Sequence, residues 1–222
     1  TRRRLPLVSL PKEIVPLIDD LEYNGLPPYD ILRKLLKTFG MDELAGTRFD
    51  KQIEKEEAMA RGEETEKPAP KTTNGGAVSA EALDAAAMGM IPIIEISRHC
   101  QGLITAMGVS VGLTGGAIMS KGSLAQKKKY GRELLTLEKV GAWAITEPSS
   151  GSDAFGAMKS TARRDGEGGY ILNGSKTFIT NGPFADVIVF ICRLDEPGVE
   201  PRDRKIVSFI LDSGMQGLEQ SA

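Results

Sequence analysis

Two cysteines, one histidine and one tryptophan are all that 222 residues supply of these types. Cys100 and Cys192 are isolated from each other, which excludes a disulfide framework. His99 beside Cys100 gives no metal-ligand spacing, so a structural or catalytic metal is not expected and a reducing compartment is the plain inference. Aromatic residues reach only 5% and the formal net charge is −2. That leaves neither a basic surface for nucleic acid nor aromatics interleaved with basic residues to stack on bases. The opening TRRRLPLVSLPKEIV has arginines, but Pro6 and Pro11 break its apolar positions, unlike a secretory signal. Starting without methionine and stopping on GMQGLEQSA, the sequence reads as a piece of a longer protein.

Charge is missing from one long run, HCQGLITAMGVSVGLTGGAIMS, which occupies positions 99–120. Its length alone would permit a membrane span. Its glycines, together with His99, Gln101 and several hydroxyls, leave it weakly apolar, and a small-residue helix packed closely inside a soluble protein is expected, without a membrane. Gly108, Gly112, Gly115 and Gly116 also miss the G-x-G-x-x-G spacing, and no strand pattern precedes them. A dinucleotide-binding βαβ unit is thereby rejected.

What is present changes character along the chain. From Pro11 to Phe39 the period is helical, with Ile31, Leu32, Leu35, Leu36 and Phe39 on one face, Pro27-Pro28 as punctuation and Gly40 as a C-cap. Residues 51–80 are charged and then rich in Pro, Thr and Gly, which predicts a linker or mobile loop. A second helical stretch is expected from Ser79 to Gly131, broken at Pro92, with Ser123 as an N-cap and Lys127-Lys128-Lys129 as a solvated face. His99 and Cys100 read as a satisfied core pair on its apolar helix.

After Trp143 the period switches. Asn173-Gly174 stands between two β-rich runs, a sequence suited to a type I′ hairpin turn. ADVIVFICRL and KIVSFILD are apolar strand candidates bounded by turn residues. Helices first and strands afterwards predict an α+β chain: an all-α helical domain over 1–141, then an antiparallel β domain over 142–222.

The stretch AWAITEPSSGSDAFGAMKS, Ala142 to Ser160, is too polar to be core. It has no lysine of the kind that ends a P-loop, and no glycine two before Ser152 to form a nucleophile elbow. Two readings remain. One is a ligand loop whose hydroxyls and backbone N–H groups present donors, with Pro148 fixing a φ angle and Gly151 allowing close approach. The other is an ordinary Ser/Gly turn capped by Asp153.

AITEPSSGSD, followed downstream by YILNGSKTFITNG, resembles the paired signatures of the acyl-CoA dehydrogenase family. AQKKKYGRELL resembles the helix that precedes the first signature. The resemblance is strong from Ile94 to the C-terminus and weak from Thr1 to Ala80. It implies an N-terminal helical domain, a middle β-barrel-like domain (here truncated) and a C-terminal four-helix domain absent from this chain.

The same resemblance implies FAD as cofactor. Trp143, Ala144, Ile145, Thr146, Gly151 and Ser152 match the first flavin segment, and Ser152 also the acyl-CoA contact. Phe178, Ile179 and Thr180 match the second flavin segment. Thr146 would donate to the pyrimidine edge of the flavin, and the Thr180 hydroxyl would lie near N5. Many relatives carry tryptophan where Phe178 stands. The implied reaction removes an α-proton and passes a β-hydride to flavin N5, giving a trans-2-enoyl-CoA. The family takes the proton with a glutamate of its C-terminal domain, so no catalytic residue is assigned here, and Glu147 and Asp153 are expected to fix the loop instead. Gly112 to Gly116 would serve helix packing or lie near the acyl tail. Further implied are electron-transfer flavoprotein as acceptor, a homotetramer or homodimer, and a cytoplasmic location (mitochondrial matrix in a eukaryote). Acyl-CoA oxidase, flavin monooxygenase and nitroalkane oxidase chemistries, or a non-catalytic subunit or fragment, are the alternatives on this fold.

Overall fold

A computed structural model describes residues 10–63 and 90–221. The chain starts with α1 (Leu10–Ile14) and α2 (Ile18–Glu22), joined by a 3₁₀ turn, and continues into α3 (Tyr29–Phe39). Ile31, Leu32, Leu35 and Leu36 on α3 are buried together with Ile14, Ile96, Leu103 and Leu137, as the helical spacing predicts. Gly40 ends α3 at φ +65°, its N–H donating to the Leu36 and Lys37 carbonyls.

The next element corrects the linker expectation. Helix α4 runs from Met41 to Ala60, so residues 51–60 are helical, while residues 64–80 of that expectation lie outside the described residues. Composition missed it because only two of its large apolar side chains are fully buried: Phe49 and Ile53 pack against Met119, beside Leu124 and Leu135. Its charges are matched by the next helix but three, α8 (Leu124–Leu135). Lys127 pairs with Glu56 at 2.8 Å and Lys128 with Glu57 at 2.7 Å, while Lys129 pairs with Asp212 at 2.7 Å. The lysine run is therefore ion-paired, not simply solvated.

Residues 90–97 form α5 and include Pro92, so the break expected at that proline falls instead at residues 98–100. His99 sits in that turn, half-buried, and Cys100 is the buried N-cap of α6 (Gln101–Met107), its thiol donating to Glu22. They are not a core pair on a helix. Helix α6 continues through a π-helical segment, Gly108–Gly115, into α7 (Gly116–Lys121). By length and composition this helix could cross a membrane. Here Leu103, Ala106, Ser110, Thr114 and Ile118 are buried in the protein. Packing is closest at strand β1 (Gly141–Ala144): the Ser110 hydroxyl accepts from the Gly141 N–H at 2.8 Å, and a Cβ on Gly141 would lie 2.7 Å from Thr114 Cβ. In the GLTGG stretch, Thr114 and Gly115 are buried and Gly112 and Leu113 exposed.

Helix α8 starts as expected at Ser123, whose hydroxyl accepts from the Gln126 N–H while the Gln126 side chain accepts from Ser123 N, a complete capping box. The sheet differs from expectation. It is mixed and open, not an antiparallel barrel. Strand β4 (Val187–Leu194) is its centre. Along one edge β1 pairs with it in parallel, Gly141 opposite Val187, and then β2 (Thr161–Arg164) pairs in parallel, Thr161 opposite Arg193. Strand β5 (Ile206–Asp212) takes the other edge, antiparallel. Only β2 and β3 (Tyr170–Asn173) form a hairpin besides β4 and β5. Its turn is Asp165–Gly169, where the Asp165 carboxylate accepts from the Glu167 and Gly169 N–H groups and Gly166 and Gly168 adopt positive φ. Asn173-Gly174 is thus not the hairpin turn: β3 ends at Asn173, and the chain leaves the sheet.

Alternation along the strands gives the sheet two apolar faces. Val187, Val189 and Ile191 pack with Trp143 and Ile145 against Ile118, Tyr130 and Leu134 of the helices. Ala142, Ala144, Ile188, Phe190 and Cys192 form the other face, with Phe209, Leu211 and Leu218.

Candidate functional site

The loop that follows β1 folds around one carboxylate. Glu147 and Ser150 exchange backbone hydrogen bonds of 3.1 and 3.0 Å, closing a tight bridge over Pro148 and Ser149. The Glu147 side chain turns inward and is 4% exposed. Its Oε2 accepts from the Lys159 N–H at 2.7 Å, and its Oε1 from the Ser160 N–H and from Lys176 Nζ, both at 2.9 Å. Burial pushes this carboxyl up, but the donors from Ser160, Lys159 and Lys176 outweigh burial and hold it at about 2. The expectation that Glu147 fixes the loop matches these contacts. Asp153 does so on a smaller scale, accepting from the Gly156 N–H at 3.2 Å in an exposed turn.

Lys176 joins two segments. Besides Glu147 its ammonium donates to the Ile145 carbonyl at 3.0 Å and lies 5.1 Å from the centre of the Phe190 ring. The neighbouring Thr177 N–H donates to the Thr146 carbonyl at 3.0 Å. The two segments AITEPSSGSD and YILNGSKTFITNG, expected to share a ligand, are thus hydrogen-bonded to each other.

Beyond Thr177 the backbone is unusual. Phe178 has φ +54° and its side chain is 92% exposed. A non-glycine residue in that region is uncommon and is held there by its surroundings. The holding group is Asn181, at φ +68°, whose buried side-chain amide donates to the Ala106 and Gly141 carbonyls, both at 2.9 Å. Its Oδ1 accepts from the Tyr29 hydroxyl at 3.1 Å. Burial foremost pushes the Tyr29 phenol up, to about 12, with Arg33 lowering it and Asp186 raising it. Helices α3 and α6 and strand β1 therefore all grip the turn after Thr180.

Next to this turn lies an open groove of about 760 Å³, lined by Ala144, the 174–179 segment, Ile188, Phe190 and the 217–221 segment. Of the residues predicted for flavin, Ala144, Phe178 and Ile179 line it. Trp143 and Ile145 point to the opposite face of β1, into the core beside the helices. Thr146 is half-buried, and Gly151, Ser152 and Thr180 are exposed. The structure thus brings the two predicted segments together but divides their side chains between two faces of β1. Among the described residues no cluster of His, Cys, Asp and Glu could hold a metal.

Sequence reasoning missed Lys176, Asn181 and Tyr29. A signal for the first existed: Lys176 is the sole charged residue between Gly168 and Ala185, as Glu147 is between Val140 and Ser152. Two lone opposite charges in such apolar surroundings point to each other.

Residues 142–222 match the family model described as acyl-CoA dehydrogenase, middle domain. Over residues 142–222 the chain is similar to the acyl-CoA dehydrogenase family. Isovaleryl-CoA dehydrogenase, mitochondrial, from Pongo abelii is 40% identical over 127 residues, covering 57% of this chain and 29% of that protein. The structure of butyryl-CoA dehydrogenase from Megasphaera elsdenii superposes over 96% of this chain and 48% of its own, with a TM-score of 0.69 and 25% identity. An acyl-CoA dehydrogenase complexed with FAD, from Bacillus anthracis, covers 96% of this chain and 32% of its own, with a TM-score of 0.52 and 28% identity. The chain spans about three tenths of the length of the curated acyl-CoA dehydrogenases it matches first. In this setting the Glu147–Lys176 pair is an internal brace of the acyl-CoA dehydrogenase middle domain.

Proposed function

We propose that this chain is the flavin-binding part of an FAD-dependent acyl-CoA dehydrogenase that converts an acyl-CoA thioester to a trans-2-enoyl-CoA. The observation that carries the reading is the Thr177–Thr146 hydrogen bond with its Lys176–Glu147 brace, because it unites the two segments that the family resemblance assigns to the cofactor. The residues fit FAD chemically. An exposed phenyl ring on a constrained backbone stands at the lip of a groove with an apolar wall of Ala144, Ile188 and Phe190, and exposed hydroxyls of Ser152 and Thr180 are available as donors.

When bound, FAD supplies the hydride acceptor. The chain's own residues hold and polarise. Phe178 would pack against the cofactor, and Thr146 and Thr180 would supply donors to negative charge that develops during the reaction, the kind of contact that stabilises a transition state most. Ser152 contacts the acyl-CoA. Glu147 is excluded as the base that takes the α-proton: it is held at about 2 and both its oxygens are occupied. Asp153 is tied to its own turn. By the family resemblance the proton acceptor is a glutamate of the C-terminal domain. Residues 1–141 form its helical domain and 142–222 part of its middle domain, and electron-transfer flavoprotein and a homo-oligomer complete the reading.

The deciding experiment is a visible absorption spectrum of the gently purified protein, followed by anaerobic addition of a mixed set of acyl-CoA thioesters. A flavin spectrum that bleaches supports the dehydrogenase. A colourless protein that cannot be reconstituted with FAD overturns it in favour of a non-catalytic subunit.

A further inference from the structure

Arg193, near the end of β4, is 8% exposed and makes no ion pair among the described residues. Its guanidinium is satisfied by carbonyl oxygens alone. One terminal nitrogen donates to Pro201, Arg202 and Arg204 at 3.0, 3.2 and 3.3 Å. The other donates to Phe155 at 2.7 Å and Gly156 at 3.2 Å. Burying a cation without a carboxylate is costly unless its donors are all used, and a rigid fork suits that role better than a flexible ammonium.

The loop it reaches has little else. Gly151, Ser152, Asp153, Phe155, Gly156 and Ala157 are all exposed, with Phe155 at 57%. Asp153 supplies its internal contacts, to the Gly156 N–H through its side chain and to the Ala157 N–H through its carbonyl. At the far end Met158 is buried, and the Lys159 and Ser160 N–H groups are bound by Glu147. Between those anchors, Arg193 alone ties the loop to the sheet by side-chain hydrogen bonds among the described residues.

We propose that Arg193 is the positioning residue for the 151–157 loop, and through it sets where Ser152 meets the acyl-CoA. The second half rests on the function proposed above. Arg193 does not touch substrate; it fixes the backbone that does.

The test uses the full-length protein with Arg193→Met and with Arg193→Lys, which keeps charge but loses the fork. Hydrogen exchange of the Gly156 and Ala157 amides, which donate the loop's internal hydrogen bonds, is read first. It is expected to speed up about tenfold or more in Arg193→Met, with Arg193→Lys between it and the parent, because local opening is controlled by such tethers. Acyl-CoA affinity, read from perturbation of the flavin spectrum, is expected to fall about tenfold and FAD affinity by less. Unchanged exchange at Gly156 and Ala157 in either folded variant, with only a lower melting temperature, would reduce Arg193 to a brace of the 201–204 turn. A parent protein that binds FAD but no acyl-CoA would sink the function, and the exchange data would still decide the loop assignment.

Discussion

Lys176 Nζ lies 2.9 Å from Glu147 Oε1, with the two side chains 6% and 3% exposed, and this contact bridges 29 positions of sequence. Removing one member leaves the other charged and buried. Lys176→Met should therefore cost about 3–5 kcal/mol of stability, the usual range for breaking a buried pair from one side. Adding Glu147→Gln to it should recover more than half of that loss. Urea unfolding of the single and double variants decides: equal losses in both would mean that the charges themselves do not matter.

The same carboxylate predicts an acid limb. Its folded value of about 2 lies below the ordinary 4.5, so the native state holds the proton less tightly than the unfolded chain does. The contribution is complete above pH 4.5 and is lost as pH falls through this window toward 2. It amounts to about 3 kcal/mol by linkage. Stability measured from pH 6 down to pH 2.5 should fall more steeply in the parent than in Glu147→Gln. Parallel curves would argue that other carboxylates dominate acid unfolding.

Asn181 joins two demands, a left-handed backbone and a side chain with three buried partners. Asn181→Ala meets neither and should cost about 3 kcal/mol, combining lost buried hydrogen bonds with backbone strain. Tyr29→Phe removes one of those bonds and should cost about 1 kcal/mol. Thermal melts of both variants test the order; a larger loss in Tyr29→Phe would overturn it.

At the flavin end, Thr180→Ala should slow flavin reduction by acyl-CoA about 10²-fold, the loss seen when one transition-state donor is deleted. FAD affinity should change little. Stopped-flow reduction at the parent rate would remove Thr180 from the site. Phe178→Trp should tighten FAD binding through greater ring contact, measured by flavin release on dilution.

Local signals were legible where local physics decides. The α3 stripe, the Gly40 C-cap, the Ser123 capping box and the two apolar strands need only neighbours within a few residues. The family signatures also stood in plain sight. Pairing direction did not, because β1 meets β4 across 46 positions and no turn residue records that it does so in parallel. The end of α4 was hidden for a related reason: Glu56 and Glu57 look like linker charges until Lys127 and Lys128 come opposite. Arg193 and Asn181 act through backbone carbonyls, which carry no residue-type signature, while Lys176 left only the faint one of a lone charge facing another.

The parallel β1–β4 pair has a consequence for biosynthesis. Both signature segments precede β4, the first starting at the last residue of β1, so they leave the ribosome before Val187 and its neighbours do. Until β4 emerges, Trp143 and Ile145 have no Val187, Val189 or Ile191 to pack on. A nascent chain paused before that point would present both signature segments without the central strand that shapes them. Loading of FAD would then have to wait for β4, and the exposed interval would be a natural stage for chaperone capture.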